Sequence, residues 1–251
     1  MTSTTTPAFQ ALLSSPVALE LLIQADRAGV MGSLSRGMAH DFRGPLQTLT
    51  LLLDPQTDML AGPEGHRLRT AVSDAVRHLS ETVERFSQVY APHPPDPAPV
   101  IVDDLLNFVA DLQRYQRGVL AVEIELRKPG GLPAVRGVEV DLRHLLLGLV
   151  LNAKEAMVER QQSRLTLTAS SLGGDVQIVV DDNGPGLSEP ARQRAFEPFF
   201  STRPGHLGIG LTVARWLAQR HGGELDIETG ESGGARALLR LPSWRQGSVV
   251  R

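Results

Sequence analysis

Cysteine is absent from the chain's 251 residues. That excludes disulfides, thiolate nucleophiles and Cys-based zinc sites together. A marked excess of one charge is also missing: 25 Lys and Arg stand against 28 Asp and Glu, a net charge of −3. Nothing in that balance suits nucleic acid or an anionic membrane as the partner. No apolar run approaches the roughly 18 residues needed to cross a bilayer. Residues Met1 to Pro7 carry no charged side chain, so they do not read as a secretory leader. These absences lead us to expect a cytoplasmic protein. What is present is ordinary for a soluble globular chain, 41% hydrophobic and 21% charged, with room for one large or two modest domains.

Proline marks the main division. Five of the nine residues from Ala91 to Pro99 are proline, which cannot continue a helix and favours an extended spacer. Before it, Met31, Leu34, Met38, Phe42, Leu46, Leu49 and Leu53 recur at helical steps. Past Asp54-Pro55 and Gly62-Pro63, a second series runs Leu68, Val72, Ala75, Leu79, Val83, Phe86 and Tyr90. Its 3-4 alternation suits a bundle or coiled coil. Two helices bury little, so the stripes predict a homodimeric four-helix bundle; packing of both helices on the C-terminal part is the alternative. After the spacer, helices are expected over Val102–Gln116, Asp141–Val158 and Gly210–His221. Strands are expected over Val119–Leu126, Arg164–Ser170, Val176–Asp181, Glu224–Thr229 and Ala235–Leu241. Strands with helices on one face make an α/β sandwich. The expected divisions are an N-terminal segment or input helix (1–30), a helical domain (31–91), a linker (92–99), an α/β domain (100–242) and a flexible tail (243–251).

Four segments carry candidate chemistry. Asn152 follows the apolar run Leu145 to Leu151; buried, its amide needs a hydrogen-bond or metal partner, and at a solvent boundary it needs none. Asp182 ends a strand and enters Asn183-Gly184-Pro185-Gly186. A carboxylate there can accept from an exocyclic amine, and the glycines allow close backbone approach, although a plain turn accounts for the same residues. Gly208-Ile209-Gly210 opens a helix whose free amides suit phosphate, or simply starts it. His40, followed by Asp41, is one of seven histidines. Its neutral ring nitrogen can attack phosphorus if a carboxylate fixes the tautomer, and Pro45 bends the helix just beyond it.

Order and spacing make these segments specific. Asn152-Ala153-x-Glu155-Ala156, Asp182-x-Gly184-x-Gly186, Phe196-Glu197-Pro198-Phe199-Phe200-Ser201-Thr202-Arg203-Pro204 and Gly208-x-Gly210-Leu211 resemble the N, G1, F and G2 boxes of sensor histidine kinases. His40-Asp41-x-x-x-Pro45-Leu46 resembles their H box. The resemblance covers roughly Val100 to Leu241 besides the H box. It implies an α+β chain: a helical hairpin that dimerises as a four-helix bundle, then a GHKL-type (Bergerat) ATP-binding sandwich. It further implies that Asp182 reads the adenine amino group, that Asn152 holds Mg²⁺ on the ATP phosphates and that Glu155 assists it. Gly184, Gly186, Gly208 and Gly210 shape the pocket, Phe199 and Phe200 anchor a mobile lid, and Arg203 approaches phosphate. Mg²⁺ needs few protein ligands, since phosphate and water complete its octahedron.

The expected function is ATP-dependent autophosphorylation of His40, with Asp41 assisting, then transfer to an aspartate of a response regulator receiver domain. The signal is expected to arrive through a separate sensor protein or the N-terminal helix. Hydrolytic relatives carry a glutamate four residues before the metal asparagine; Gly148 stands there, which disfavours hydrolysis. Gly44 stands where the family often has a water-orienting Asn or Thr, so phosphatase activity is not expected. His206-Leu207 replaces a common Gly-Thr, which bears on lid ordering and nucleotide affinity. The alternative function is a non-catalytic phosphotransfer or scaffold protein with a degenerate ATP-binding domain.

Overall fold

The computed structural model describes residues 18–34, 70, 72–74, 76–77, 96–114, 122–158, 160–204 and 206–244. His40, Asp41, Gly44 and most of both N-terminal apolar series, and with them the expected bundle, lie outside the described residues. Helix α1 covers residues 18–34. Strand β1 (Ala98–Val100), helix α2 (Val102–Arg114), β2 (Val122–Arg127), β3 (Val135–Gly137) and helix α3 (Glu139–Ala156) follow. Then come β4 (Ser163–Leu172), β5 (Asp175–Asp182), α4 (Glu189–Arg194), α5 (Gly210–Arg220), β6 (Glu224–Thr229) and β7 (Ala235–Pro242).

A five-stranded mixed sheet runs β2-β4-β5-β7-β6, parallel between β2 and β4 and antiparallel elsewhere. The period-2 pattern sets its faces. Leu165, Leu167 and Ala169 of β4, Val176, Ile178 and Val180 of β5, and Ala237, Leu239 and Leu241 of β7 are buried. The residues between them face outward and include Thr166, Thr168, Asp181 and Arg240, so one face is covered and one is open. Glycines 173 and 174, both at positive φ, turn the β4–β5 hairpin.

Helix α3 is apolar nearly all round, with Leu142, Leu145, Leu146, Leu147, Leu149 and Val150 buried, as a helix enclosed on several sides must be. It packs against α2, α5 and the sheet. His221, just past α5, ties two helix ends together. Its Nδ1–H donates to Leu217 O at 2.7 Å, and its Nε2 accepts from the Val138 amide at 3.0 Å, ahead of α3. Helix α1 joins the same core through Leu19, Leu22, Ile23, Val30 and Leu34. Each such burial is worth about 1.5–3 kcal/mol.

Three of the expected boundaries meet described elements. The end of the 92–99 spacer is paired: Ala98–Val100 forms β1 on β3, and Pro99 is tolerated because β1 is the outer strand of that ribbon among the described residues. The tail is fastened at its start, where Ser243 bridges to Val135 and the Trp244 amide donates to Ala134 O at 2.6 Å. The division at residue 30 falls inside α1, which continues to Leu34.

Candidate active site

Asp182 stands at the last position of β5, where the chain leaves the sheet. Its Oδ1 accepts from the Gly184 amide at 2.8 Å and from the Ala235 amide at 3.1 Å. Among the described residues no donor meets its Oδ2. Burial pushes the carboxyl above its ordinary pKa, against the downward pull of those two amides. Asn183 fastens the following turn to the start of β4: its Oδ1 accepts from the Arg164 amide at 2.9 Å and its Nδ2 donates to Gln162 O at 2.8 Å. Gly186 has φ +70°, and a Cβ there would lie 2.5 Å from Gly233 O, so only glycine fits.

A cavity of about 430 Å³ opens beside this turn. Asn152, Glu155, Asp182, Gly186, Arg203, Gly208 and Gly210 all line it, although they come from four separate stretches of chain. Gly148 lines it too, one helical turn before Asn152. Two expected site residues are not on its wall: Gly184 is buried under Asp182, and Phe199 is 65% exposed. Phe200 lines the cavity instead, with the Arg194 guanidinium 4.2 Å over its ring.

The lid between Phe200 and Gly208 is pinched at its ends, since a Cβ on Gly208 (φ +67°) would meet Phe200 O at 2.4 Å. Phe199 beside it is the non-glycine residue with positive φ among those described, at 63°, and such backbone strain clusters at ligand clamps. Arg215, 3.2 Å over the Phe196 ring, and Thr212, which donates to Phe196 O at 3.0 Å, fix the preceding segment to α5. Arg203 turns from the lid onto α3: Nη1 donates to Glu155 Oε2 at 2.9 Å and Nη2 to Asn152 O at 3.2 Å. His206 Nδ1 lies 3.6 Å from the same Glu155 oxygen. Here the Arg203 guanidinium neutralises Glu155.

Two contributors were not anticipated from the sequence. The Ala235 amide, at the end of the β6–β7 turn, holds the Asp182 carboxylate, and Gly234 lets the turn approach, since a Cβ there would fall 1.9 Å from Asp182 O. The signal was the Gly233-Gly234 pair, which reads as any hairpin turn. Helix α1 supplies Ala25, Asp26, Gly29, Val30 and Ser33 to the cavity wall, and no local motif announces that.

A strand-end carboxylate, a helix N-terminus framed by glycines and a lid carrying Arg203 define a nucleotide-pocket class of protein. Residues 137–245 match the Histidine kinase-, DNA gyrase B-, and HSP90-like ATPase family. The chain is 31% identical to the sensor protein TdiS of Thauera aromatica over 226 residues, covering 84% of this chain and 40% of TdiS. It is 28% identical over 213 residues to the sensor histidine kinase ZraS of Escherichia coli O157:H7, covering 84% of this chain and 46% of ZraS. Among solved structures, full-length ShkA in complex with AMPPNP superposes with TM-score 0.53 at 28% identity, covering 88% of this chain and 47% of that one. Over most of its length the chain is similar to these sensor proteins, and residues 137–245 form a GHKL-type α/β ATP-binding domain with a mixed sheet. The chain spans less than half the length of these curated relatives. Among the described residues no helix is long and apolar enough to cross a membrane.

Proposed function

We propose that this chain is an ATP-dependent protein histidine kinase that phosphorylates its own His40. The observation that carries the reading is the convergence of Asp182, Asn152 and the α5 N-terminus on one cavity. Asp182 Oδ2 accepts from the adenine amino group, while the amides at the start of α5 face the phosphates. Asn152, half-buried on the wall, offers an amide oxygen to Mg²⁺. Among the described residues no cluster of three acidic, His or Cys side chains stands ready to bind a metal. Asn152 would hold a cation carried in with the phosphates, and the cation would offset their charge. Arg203 exchanges Glu155 for phosphate as the lid orders.

A ring nitrogen of His40 attacks the γ-phosphorus, the bond to the ADP oxygen breaks and ADP leaves, while Asp41 takes the other ring proton. Catalysis is positioning and charge neutralisation. Gly148 leaves no carboxylate to activate water, so transfer is favoured over hydrolysis. The acceptor domain spans 31–91 and pairs with a second copy as a four-helix bundle. The phosphoryl group then passes to an aspartate of a response regulator, with input from a separate sensor protein or the N-terminal helix.

The test is incubation of the purified chain with γ-labelled ATP and Mg²⁺. We expect acid-labile, alkali-stable label that His40→Ala removes. Absence of label on the wild type, with label appearing only from a phosphorylated partner, would favour the scaffold reading.

A further inference from the structure

Nucleotide chemistry leaves one part of the cavity wall unexplained, and that part is α1. We propose that α1 is a built-in competitor for the phosphate end of the pocket, its Asp26 carboxylate standing where ATP phosphate must sit. The proposal rests on the ATP reading of the cavity. A methyl group placed on Gly210, the first residue of α5, would touch Asn152 Nδ2 and Asp26 Oδ1, each at 3.5 Å. The carboxylate therefore lies beside the amide assigned to Mg²⁺, at a helix N-terminus, where an anion is favoured.

Two adjacent residues latch the helix in place. Asp26 Oδ2 pairs with His144 Nε2 at 2.9 Å, and Arg27 Nη2 pairs with Asp141 at 3.0 Å. His144 and Asp141 sit one turn apart on α3, and both are buried. The two contacts fix which side of α1 faces the cavity, and Val30 and Leu34 seat its far end in the core. Phosphates and the Asp26 carboxylate cannot share the α5 N-terminus, because like charges at contact repel strongly in a half-buried site. ATP entry then requires α1 to lift. Leu34 stands six positions before His40 in sequence, so lifting α1 moves the helix that leads directly into the His40 segment.

Binding of Mg²⁺-ATP to the full chain, by calorimetry, tests this in wild type, Asp26→Ala, Asp26→Asn and Arg27→Ala. Arg27→Ala removes one of the two latch contacts without altering the cavity wall, and Asp141 keeps Arg220 at 3.2 Å as a partner. All three variants are expected to bind at least about fivefold more tightly, the lower end of usual coupling between sites. Hydrogen exchange across residues 18–34 is expected to quicken when ATP is added to the wild type. Unchanged affinity in the variants, or slower exchange with ATP, overturns the plug while ATP binding by the wild type leaves the pocket reading intact. Weaker binding in both Asp26 variants overturns it too and makes Asp26 a group that holds the cation. No ATP binding by any form removes the pocket reading, and the plug with it.

Discussion

Under the proposed function Asp182 meets two opposed demands: it accepts from adenine best when charged, and it sits 5% exposed with two amides on one oxygen. Burial wins, and its pKa is raised. A folded-state pKa above the unfolded one means that protonation favours the fold. That stability is fully present below the ordinary carboxylate pKa and is lost as pH rises through the raised one. Asp182→Asn keeps an oxygen for both amides and buries no charge. It is expected to melt above the wild type at neutral pH, with the gap closing in acid, while phosphorylation of His40 is lost. A variant that melts lower at neutral pH would show that the two amides outweigh burial. Nucleotide binding by the wild type should weaken as pH falls through the raised pKa. Gly148 gives a second test at this scale. A Cβ there meets nothing within 4 Å, so the cavity wall admits a larger side chain. Gly148→Glu is expected to turn ATP consumption toward free phosphate; unchanged release would remove Gly148 from the account of why transfer is favoured.

Turns and helix ends position the site's elements, and substitutions there act through shape. Gly186→Ala places a Cβ against Gly233 O in a left-handed conformation. It is expected to cost about 1–3 kcal/mol of stability, read as a lowered denaturation midpoint. An unchanged midpoint would mean that the turn relaxes freely. These elements differ in how legible they are in sequence. Strands β4 and β5 show because their alternation persists over six or more residues between turn glycines, and α3 shows because its leucines leave no polar face. Strands β1 and β3, three residues each, carry too few positions for any period to register. Helix α1 is invisible as a wall of the site because Leu19, Leu22 and Ile23 look like any amphipathic stripe. Its partners His144 and Asp141 lie more than a hundred positions away. The box residues stand out in sequence by order and spacing, whereas their side-chain placement does not: Phe199 faces solvent while Phe200 takes the wall, and Arg203 pairs with Glu155.

At the scale of the molecule, the proposals make the ATP-binding domain a donor, α1 a gate and the His40 segment an acceptor in one chain. Dimerisation through 31–91 predicts a particle of twice the monomer's 27.1 kDa by light scattering; a monomer at all accessible concentrations would remove the bundle. The central claim is transfer from ATP to His40, and tandem mass spectrometry of the chain after Mg²⁺-ATP treatment, under conditions that preserve phosphoramidates, tests it most directly. The account predicts one phosphoryl group, on His40. Phosphate on another residue, or release of free phosphate with His40 unmodified, would contradict it.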